Sequence, residues 1–232
     1  MRNTEGGMDR RFLLAGALGL GAFGFADDAF AKLSNADAQA GLRAALKQGA
    51  DTAVTHLSQT NAYWGDPQIR IPLPKTLASA QKMLKPLGQS SLLDDLQLRM
   101  NRAAENAAPV ARSLFVNAIQ TLTITDAVGI IKGGDTAGTL YLQKKTTPAL
   151  TTAFTPPMEN AMQASGAVDY FDRAIKRNNL KSYFQTDAKT YLGQYATGLA
   201  LQGLFIFVGR EETAIRRDPA KRTAQILKTV FG

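Results

Sequence analysis

Leu199-Ala200-Leu201-Gln202-Gly203-Leu204-Phe205-Ile206-Phe207-Val208 is the stretch that decides the fold. Every residue in it except Gln202 is apolar or glycine, so a helix built from it keeps no face for water. Ten helical residues rise about 15 Å, well short of a bilayer core. The stretch therefore predicts a central core helix surrounded by other helices. Gly198 and Gly203 are expected to let neighbouring backbones approach, at about 1 kcal/mol each relative to alanine. The amide of Gln202, enclosed by apolar neighbours, has to find a partner inside. After Val208 the pattern turns amphipathic, Asp218-Pro219 breaks it, and a short terminal helix is expected from Lys221 to Phe231.

Outward from this core the chain reads as helix after helix. Leu42, Leu46, Ala50, Ala53 and Leu57 recur at helical spacing behind the capping residues Ser34-Asn35-Ala36-Asp37. Leu92, Leu93, Leu96, Met100, Ala103 and Ala107 make a second stripe that Ser90-Ser91 begins and Pro109 ends or kinks. Ala111, Leu114, Phe115, Ala118 and Leu122 make a third. Thr123 or Thr125 can cap a short helix that Gly133-Gly134 stops, and Asp135 can cap the next. Pro148 suits a first helical turn, and Pro156-Pro157 is expected to interrupt the helix beyond it. Strand signals are thin. Tyr63 to Pro74 alternates apolar residues with polar residues or proline, and is expected to lie as an extended clip pinned by Trp64, the only tryptophan. The fold class is all-α: one multi-helix domain packed around a buried C-terminal helix, with one extended proline-containing segment.

Composition bounds the setting. The chain has 232 residues, 45% of them hydrophobic, enough for one sizeable core and against wholesale disorder. It has no cysteine, so disulfides, thiolate metal sites and cysteine lipidation are excluded. Arg10 and Arg11 precede an uncharged run from Phe12 to Ala26, and Ala29-Phe30-Ala31 offers the small-x-small pattern of a cleavage site. Paired arginines before Phe12-Leu13-Leu14 resemble a twin-arginine export signal, although that pattern usually has one more residue between pair and phenylalanine. A general secretory signal is the alternative, and either route ends outside the cytoplasm. The expected division is a cleavable signal over 1–31 and one helical domain over 32–232, periplasmic after cleavage behind Ala31. Without residues 1–31 the chain keeps 24 Lys+Arg against 15 Asp+Glu, a formal charge of about +9. In a periplasm the anions within reach are phospholipid headgroups, lipopolysaccharide and cell-wall acids, the export signal argues against nucleic acid, and the alternative is a charge that only aids solubility.

Few residues offer catalysis. His56 is the only histidine, which excludes a histidine-rich metal site, and it lies beside its helix's apolar stripe as a packing residue would. No phosphate-binding loop, dinucleotide fingerprint or zinc-protease motif occurs. Gly133-Gly134-Asp135-Thr136 before a helix is either a backbone nest for an anion or a plain helix stop and restart. Asn101 and Glu105 lie one turn apart with Arg102 at three-residue spacing from Glu105, and Glu211, Glu212, Arg216 and Arg217 repeat the theme. Both groups adjoin apolar stretches, where a charge is tolerated only when paired.

Several segments match a known pattern in order: Leu33-Ser34-Asn35-Ala36-Asp37, Ile71-Pro72-Leu73-Pro74, Met100-Asn101-Arg102-Ala103-Ala104-Glu105, Gly133-Gly134-Asp135-Thr136-Ala137, Gly203-Leu204-Phe205, Glu211-Glu212 with Ile215-Arg216, and Val230-Phe231-Gly232. From about Leu33 onward the chain resembles the exported bacterial domain of unknown function family 4197. The resemblance implies a signal peptide and a helical fold, and supplies no catalytic residue. Two positions depart from the family pattern. Gln202 stands where aspartate is common, and Gly138 stands where a second alanine is usual.

The expected function is a periplasmic helical binding or interaction protein without catalysis of its own, for an anionic envelope lipid, a cell-wall component or a small ligand. Its ligand-binding residues would form one polar seam through Asn101, Arg102, Glu105, Gln202, Glu212 and Arg216, opened by Asp135 and Thr136. No cofactor or metal site is assigned, and the oligomeric state is left open. The alternative is a hydrolase of envelope material working through Glu105 and Glu212. A third reading is a structural subunit docking to a membrane protein.

Overall fold

The computed structural model describes residues 34–164, 166, 168–169, 171–173, 187–222, 228 and 230–231. The expected export signal over 1–31 and most of the terminal helix expected from Lys221 to Phe231 lie outside the described residues. Among the described residues there are eight α-helices and no strand. In chain order they are α1 (Asn35–Leu57), α2 (Ala62–Gly65), α3 (Lys75–Leu84), α4 (Ser91–Ala107), α5 (Ala111–Gln120), α6 (Ile124–Lys132), α7 (Ala137–Ala164) and α8 (Ala188–Arg217). The protein is an all-α single domain, as its apolar periodicity predicts.

Local chemistry sets the helix ends. Ser34 caps α1 by accepting the N–H of Asp37 at 3.1 Å. Thr123 and Asp126 form a reciprocal capping box on α6, each side chain accepting the other's backbone N–H at 3.1 Å. Ser90 precedes α4 without capping it: its hydroxyl donates to Asp94 at 2.7 Å instead. Pro109 sits in a short 3-10 turn that bends α4 into α5. At the end of α8 the buried Arg222 donates to the carbonyls of Ile215 and Arg216, satisfying groups the helix leaves unpaired.

The three amphipathic stripes face one core, with Leu42, Leu57, Leu96, Met100 and Phe115 each at 1% exposure or less. The long helices α7 and α8 pack together at the centre, α1 covers α8 from one side, and α4 and α5 lie across α7. Helix α7 presents Leu142, Thr146, Leu150, Phe154, Met158 and Met162, a buried ridge with one residue every four. That ridge overrides both proline expectations: α7 runs unbroken through Pro156 and Pro157, and Pro148 lies in its interior and not in a first turn. Pro148 and Pro156 sit on the exposed side, so the carbonyls one turn back that lose their N–H partners face water, while packing holds the buried side straight.

Helix α8 corrects a second expectation. It is central, but it is not closed off on all sides. Gln194, Gly198, Gln202 and Ile206, one per turn, face outward. Gln202 is therefore exposed and needs no internal partner. An unbroken apolar run marks residues kept from water and does not say whether a neighbouring helix or a groove does the keeping. With 30 residues α8 is long and apolar enough to cross a membrane, yet 61% of its most apolar window is buried against other helices. Burial, and not shortness, accounts for its composition.

The segment after α1 also differs from a uniform extended clip. Its first residues form the helical turn α2, Asp66 to Arg70 make a further turn, and only Ile71 to Pro74 run extended. Ile69, Ile71 and Leu73 point inward. The pin is Tyr63 and not Trp64. Tyr63 is fully buried and its hydroxyl donates to the carbonyl of Ala200 at 2.9 Å, whereas Trp64 lies half-buried under the Arg70 guanidinium. Burial first, and the nearby Glu105 charge second, push the Tyr63 phenol well above the usual tyrosine range.

Gly203 meets its expectation and Gly198 does not. A Cβ on Gly203 would lie 2.8 Å from Cε1 of Tyr63 and 3.1 Å from Cβ of Ile69, whereas one on Gly198 would meet nothing within 4 Å. Gly203→Ala should therefore cost about 1–3 kcal/mol through overpacking, while Gly198→Ala should add up to about 1 kcal/mol of stability. Urea titration of both variants checks the contrast.

Part of the acid sensitivity comes from the caps. The Thr123 hydroxyl and then its backbone N–H hold Asp126 below the usual carboxylate range, and the backbone N–H and then the hydroxyl of Thr190 do the same for Asp187. Folded carboxyls that bind protons less readily than unfolded ones add stability above about pH 4, and lose it as pH falls through their lowered values. The melting temperature should therefore decline below about pH 4, and Asp126→Asn should flatten that decline. Thr123→Ala should cost about 1 kcal/mol near neutral pH.

Candidate functional site

Two buried carboxylates organise the polar interior. Glu105, 2% exposed on α4, accepts the backbone N–H groups of Tyr63 and Trp64 at 3.1 and 3.3 Å on one oxygen. Its other oxygen accepts from Arg102 at 2.7 Å, and Arg102 continues to the side chain of Asn61, a residue in left-handed backbone (φ 71°). One turn back, the fully buried Asn101 side chain accepts the N–H of Ile71 at 2.9 Å and donates to its carbonyl at 3.0 Å. A single carboxamide thus does for Ile71 what a partner strand would do. Asn101, Arg102 and Glu105 clamp residues 61–71 onto α4.

Glu212 makes the second centre, at the start of α7. One oxygen accepts the N–H of Gly138 at 2.9 Å, and the other accepts the N–H and hydroxyl of Thr139 at 2.6 and 2.7 Å. Arg216 doubles onto the first oxygen at 2.8 and 3.0 Å and donates onward to the carbonyl of Ile130 at 3.0 Å. The anion at the N-terminus of α7 is thus the protein's own carboxylate, and the Gly133-Gly134-Asp135-Thr136 turn is a helix stop and restart. Gly138 belongs to this arrangement. A Cβ there would lie 2.3 Å from a Leu46 methyl and 2.9 Å from the Glu212 carboxylate, so glycine makes room for both.

The residues expected to form one seam are therefore distributed. Asn101, Arg102 and Glu105 hold the clip, Glu212 and Arg216 hold the α6–α7 junction, and the two groups share no hydrogen bond. Asp135 does not cap α7; its carboxylate pairs with Arg217. Thr136 and Gln202 lie elsewhere, on the wall of a groove. His56 is exposed and stacks on Phe207 with ring centroids 4.4 Å apart. Among the described residues no three histidine, aspartate or glutamate side chains converge as metal ligands.

The groove runs between α7 and α8 and encloses about 910 Å³, the size of a small-molecule site. Thr139, Leu140, Gln143, Thr147 and Thr151 line it from α7, and Gly198, Leu201, Gln202, Phe205, Ile206 and Gly209 from α8. Thr147 and Thr151 donate to carbonyls one turn back and Thr139 donates to Glu212, so three of the hydroxyls on that wall are already committed. Leu140 and Ile206 remain 61% and 36% exposed along it. From Thr136 to Thr151 the wall is about 22 Å long at the helical rise. One end carries charge: Arg210 and Arg217 line it beside Thr213. Arg210 bridges Asp66 at 2.7 Å and also reaches Gln68, and the bond to Asp66 is the first cause holding that carboxyl below its usual range. Each guanidinium has five N–H donors, more than these partners use.

Sequence reasoning did not assign Leu140, Gly198, Ile206, Arg210 or Arg217 to a site. The available signal was the one-per-turn series Gly198, Gln202, Ile206, Arg210, which reads as a stripe only once α7 is known to leave it uncovered.

A helical domain with an internally capped bundle and one open interhelical groove is the class these features define. The chain belongs to the family described as Protein of unknown function (DUF4197), whose model matches residues 32–232. No curated protein and no solved structure shows significant similarity to it.

Removing either carboxylate leaves buried partners unmatched, so Glu105→Ala and Glu212→Ala should each cost about 3 kcal/mol or more in urea titration. Their signatures should differ. Glu105→Ala frees the backbone of Trp64 and should shift the single tryptophan's emission to the red under native conditions, whereas Glu212→Ala should leave it in place.

Proposed function

We propose that the protein is a binding protein of the bacterial envelope, which takes a single-chain amphiphile with an anionic headgroup into the α7–α8 groove. The observation that carries this reading is the shape of that groove: an apolar trough about 22 Å long with two arginines at one end. The length holds one acyl chain together with its headgroup, since a bilayer core about 30 Å thick holds two chains end to end, about 15 Å each. The tail lies along Leu140, Phe205 and Ile206 towards Gly198, where the missing side chain leaves room. The headgroup meets Arg210 and Arg217, whose planar donor forks match carboxylate and phosphate oxygens. The excess of Lys and Arg, +8 over the full sequence, favours an anionic ligand in the same direction. The export pattern in 1–31 supports a periplasmic setting, where such amphiphiles derive from membrane lipid.

The hydrolase reading gains no support from the geometry of its two carboxylates. Glu105 and Glu212 have both oxygens occupied by structural donors, and neither lines the groove.

Palmitate and lysophosphatidylglycerol are the probes. Delipidated protein should bind either with about 1:1 stoichiometry by calorimetry, and saturation at a hundredfold excess over Kd should stabilise it by about 2.7 kcal/mol. Ile206→Glu should weaken binding at least about tenfold by placing a charge in the trough, and Arg217→Glu should weaken it by repelling the headgroup. Absence of binding, or binding indifferent to both substitutions, overturns the proposal.

A further inference from the structure

The corner joining α3 to α4 carries the two most exposed large apolar side chains among the described residues, Met83 at 75% and Leu87 at 68% exposure. It is built to project them. Helix α3 ends in a tight turn over Lys85–Leu87, and Gly88 closes it in left-handed backbone (φ 68°). The N–H of Gly88 donates to the carbonyl of Lys85, and that of Gln89 to the carbonyl of Leu84, both at 3.1 Å. This paired closure requires the left-handed residue and stops the helix sharply. The base of the corner is fixed to the core. Leu77 is buried, and Asp94 on α4 accepts from Gln81 at 2.6 Å and from Ser90 at 2.7 Å. Met83 and Leu87 therefore stand on a braced tip.

The charges on the corner segment itself have one sign, and the nearest carboxylate, Asp94 at its base, is held by Ser90 and Gln81 and also feels Lys85. Lys75, Lys82 and Lys85 are exposed, no acidic residue occurs between Lys75 and Leu93, and none of the three lysines forms an ion pair with a described residue. An apolar pair flanked by exposed lysines matches a lipid interface, where side chains enter the acyl boundary and ammonium groups meet phosphates. Two copies of this corner would bring like charges together, which disfavours self-association through it.

We propose that the Met83–Leu87 corner inserts into the surface of an anionic phospholipid bilayer, with Lys82 and Lys85 on the headgroups, and so docks the protein on the membrane. None of these residues lines the α7–α8 groove, so docking does not depend on the function proposed for it.

The absence of cysteine makes a direct test possible. Met83→Cys in the full chain, labelled with an environment-sensitive dye, is mixed with phosphatidylcholine vesicles with or without 30% phosphatidylglycerol, and Val110→Cys carries the same dye as an exposed control. With phosphatidylglycerol the dye at 83 should shift to the blue and be quenched by bilayer-embedded quenchers, while the dye at 110 should do neither. Adding Lys82→Glu with Lys85→Glu should reduce vesicle-dependent quenching about tenfold or more, and Ile206→Glu should leave it unchanged. No shift at 83, an equal shift with neutral vesicles, or indifference to the charge reversals overturns docking. A shift that grows with protein concentration without vesicles assigns the corner to self-association instead and also overturns it. Amphiphile binding in the groove, read separately by calorimetry, survives any of these outcomes.

Discussion

The carboxylate of Glu212 sets the relation on which the rest of the bundle depends. It accepts the unpaired N–H groups at the start of α7 and is neutralised by Arg216, which also reaches the last turn of α6. A buried carboxylate is costly unless every oxygen is matched, so the register of α7 against α8 is the one that brings the Gly138 and Thr139 donors onto Glu212. With that register fixed, the outer stripes of α7 and α8 run side by side over several turns, and the groove between them results. Gly138 is the steric counterpart, because a side chain there would displace both the carboxylate and Leu46 of α1.

The same logic works a second time at α4. A chain passing from α1 to α3 without a sheet has backbone groups to satisfy in a dry interior. Asn101 and Glu105 supply the partners, one turn apart on a single helix face, and Tyr63 ties the segment to α8 through Ala200. Gly203 makes the approach of Tyr63 possible. The polar residues that stand out in an otherwise apolar chain are thus used mainly to build the protein, and the groove is lined mainly by threonine, glycine, leucine and isoleucine.

That division explains which parts were legible in advance. Asn101, Glu105 and Glu212 are conspicuous because a charge or carboxamide beside apolar stripes must be paired, and each is paired. Their partners were not legible, since those are backbone groups 30 to 74 positions away in the chain. Leu140 and Ile206 were illegible for the opposite reason. An apolar residue in an apolar run looks like core, and only the placement of α7 leaves these two facing a trough. Pro148 misled as a helix start and Pro156-Pro157 as a break, because local propensity predicts both, while the ridge from Leu142 to Met162 holds the helix together from its other side.

By itself the sequence determined an all-helical chain, the inward face of most helices, short lists of cap residues that include Ser34 and Thr123, and an end or kink at Pro109. These are local properties, set by a period of three to four residues and by the hydrogen bonds that neighbouring side chains offer the backbone. Tertiary structure alone decided that α8 is covered on some sides and open along Gln202 and Ile206, that Glu212 meets the start of α7, and that Met83 and Leu87 project. Each depends on which element lies across from which. Hydrophobic periodicity records that a face avoids water, and only the packed bundle decides what takes the water's place.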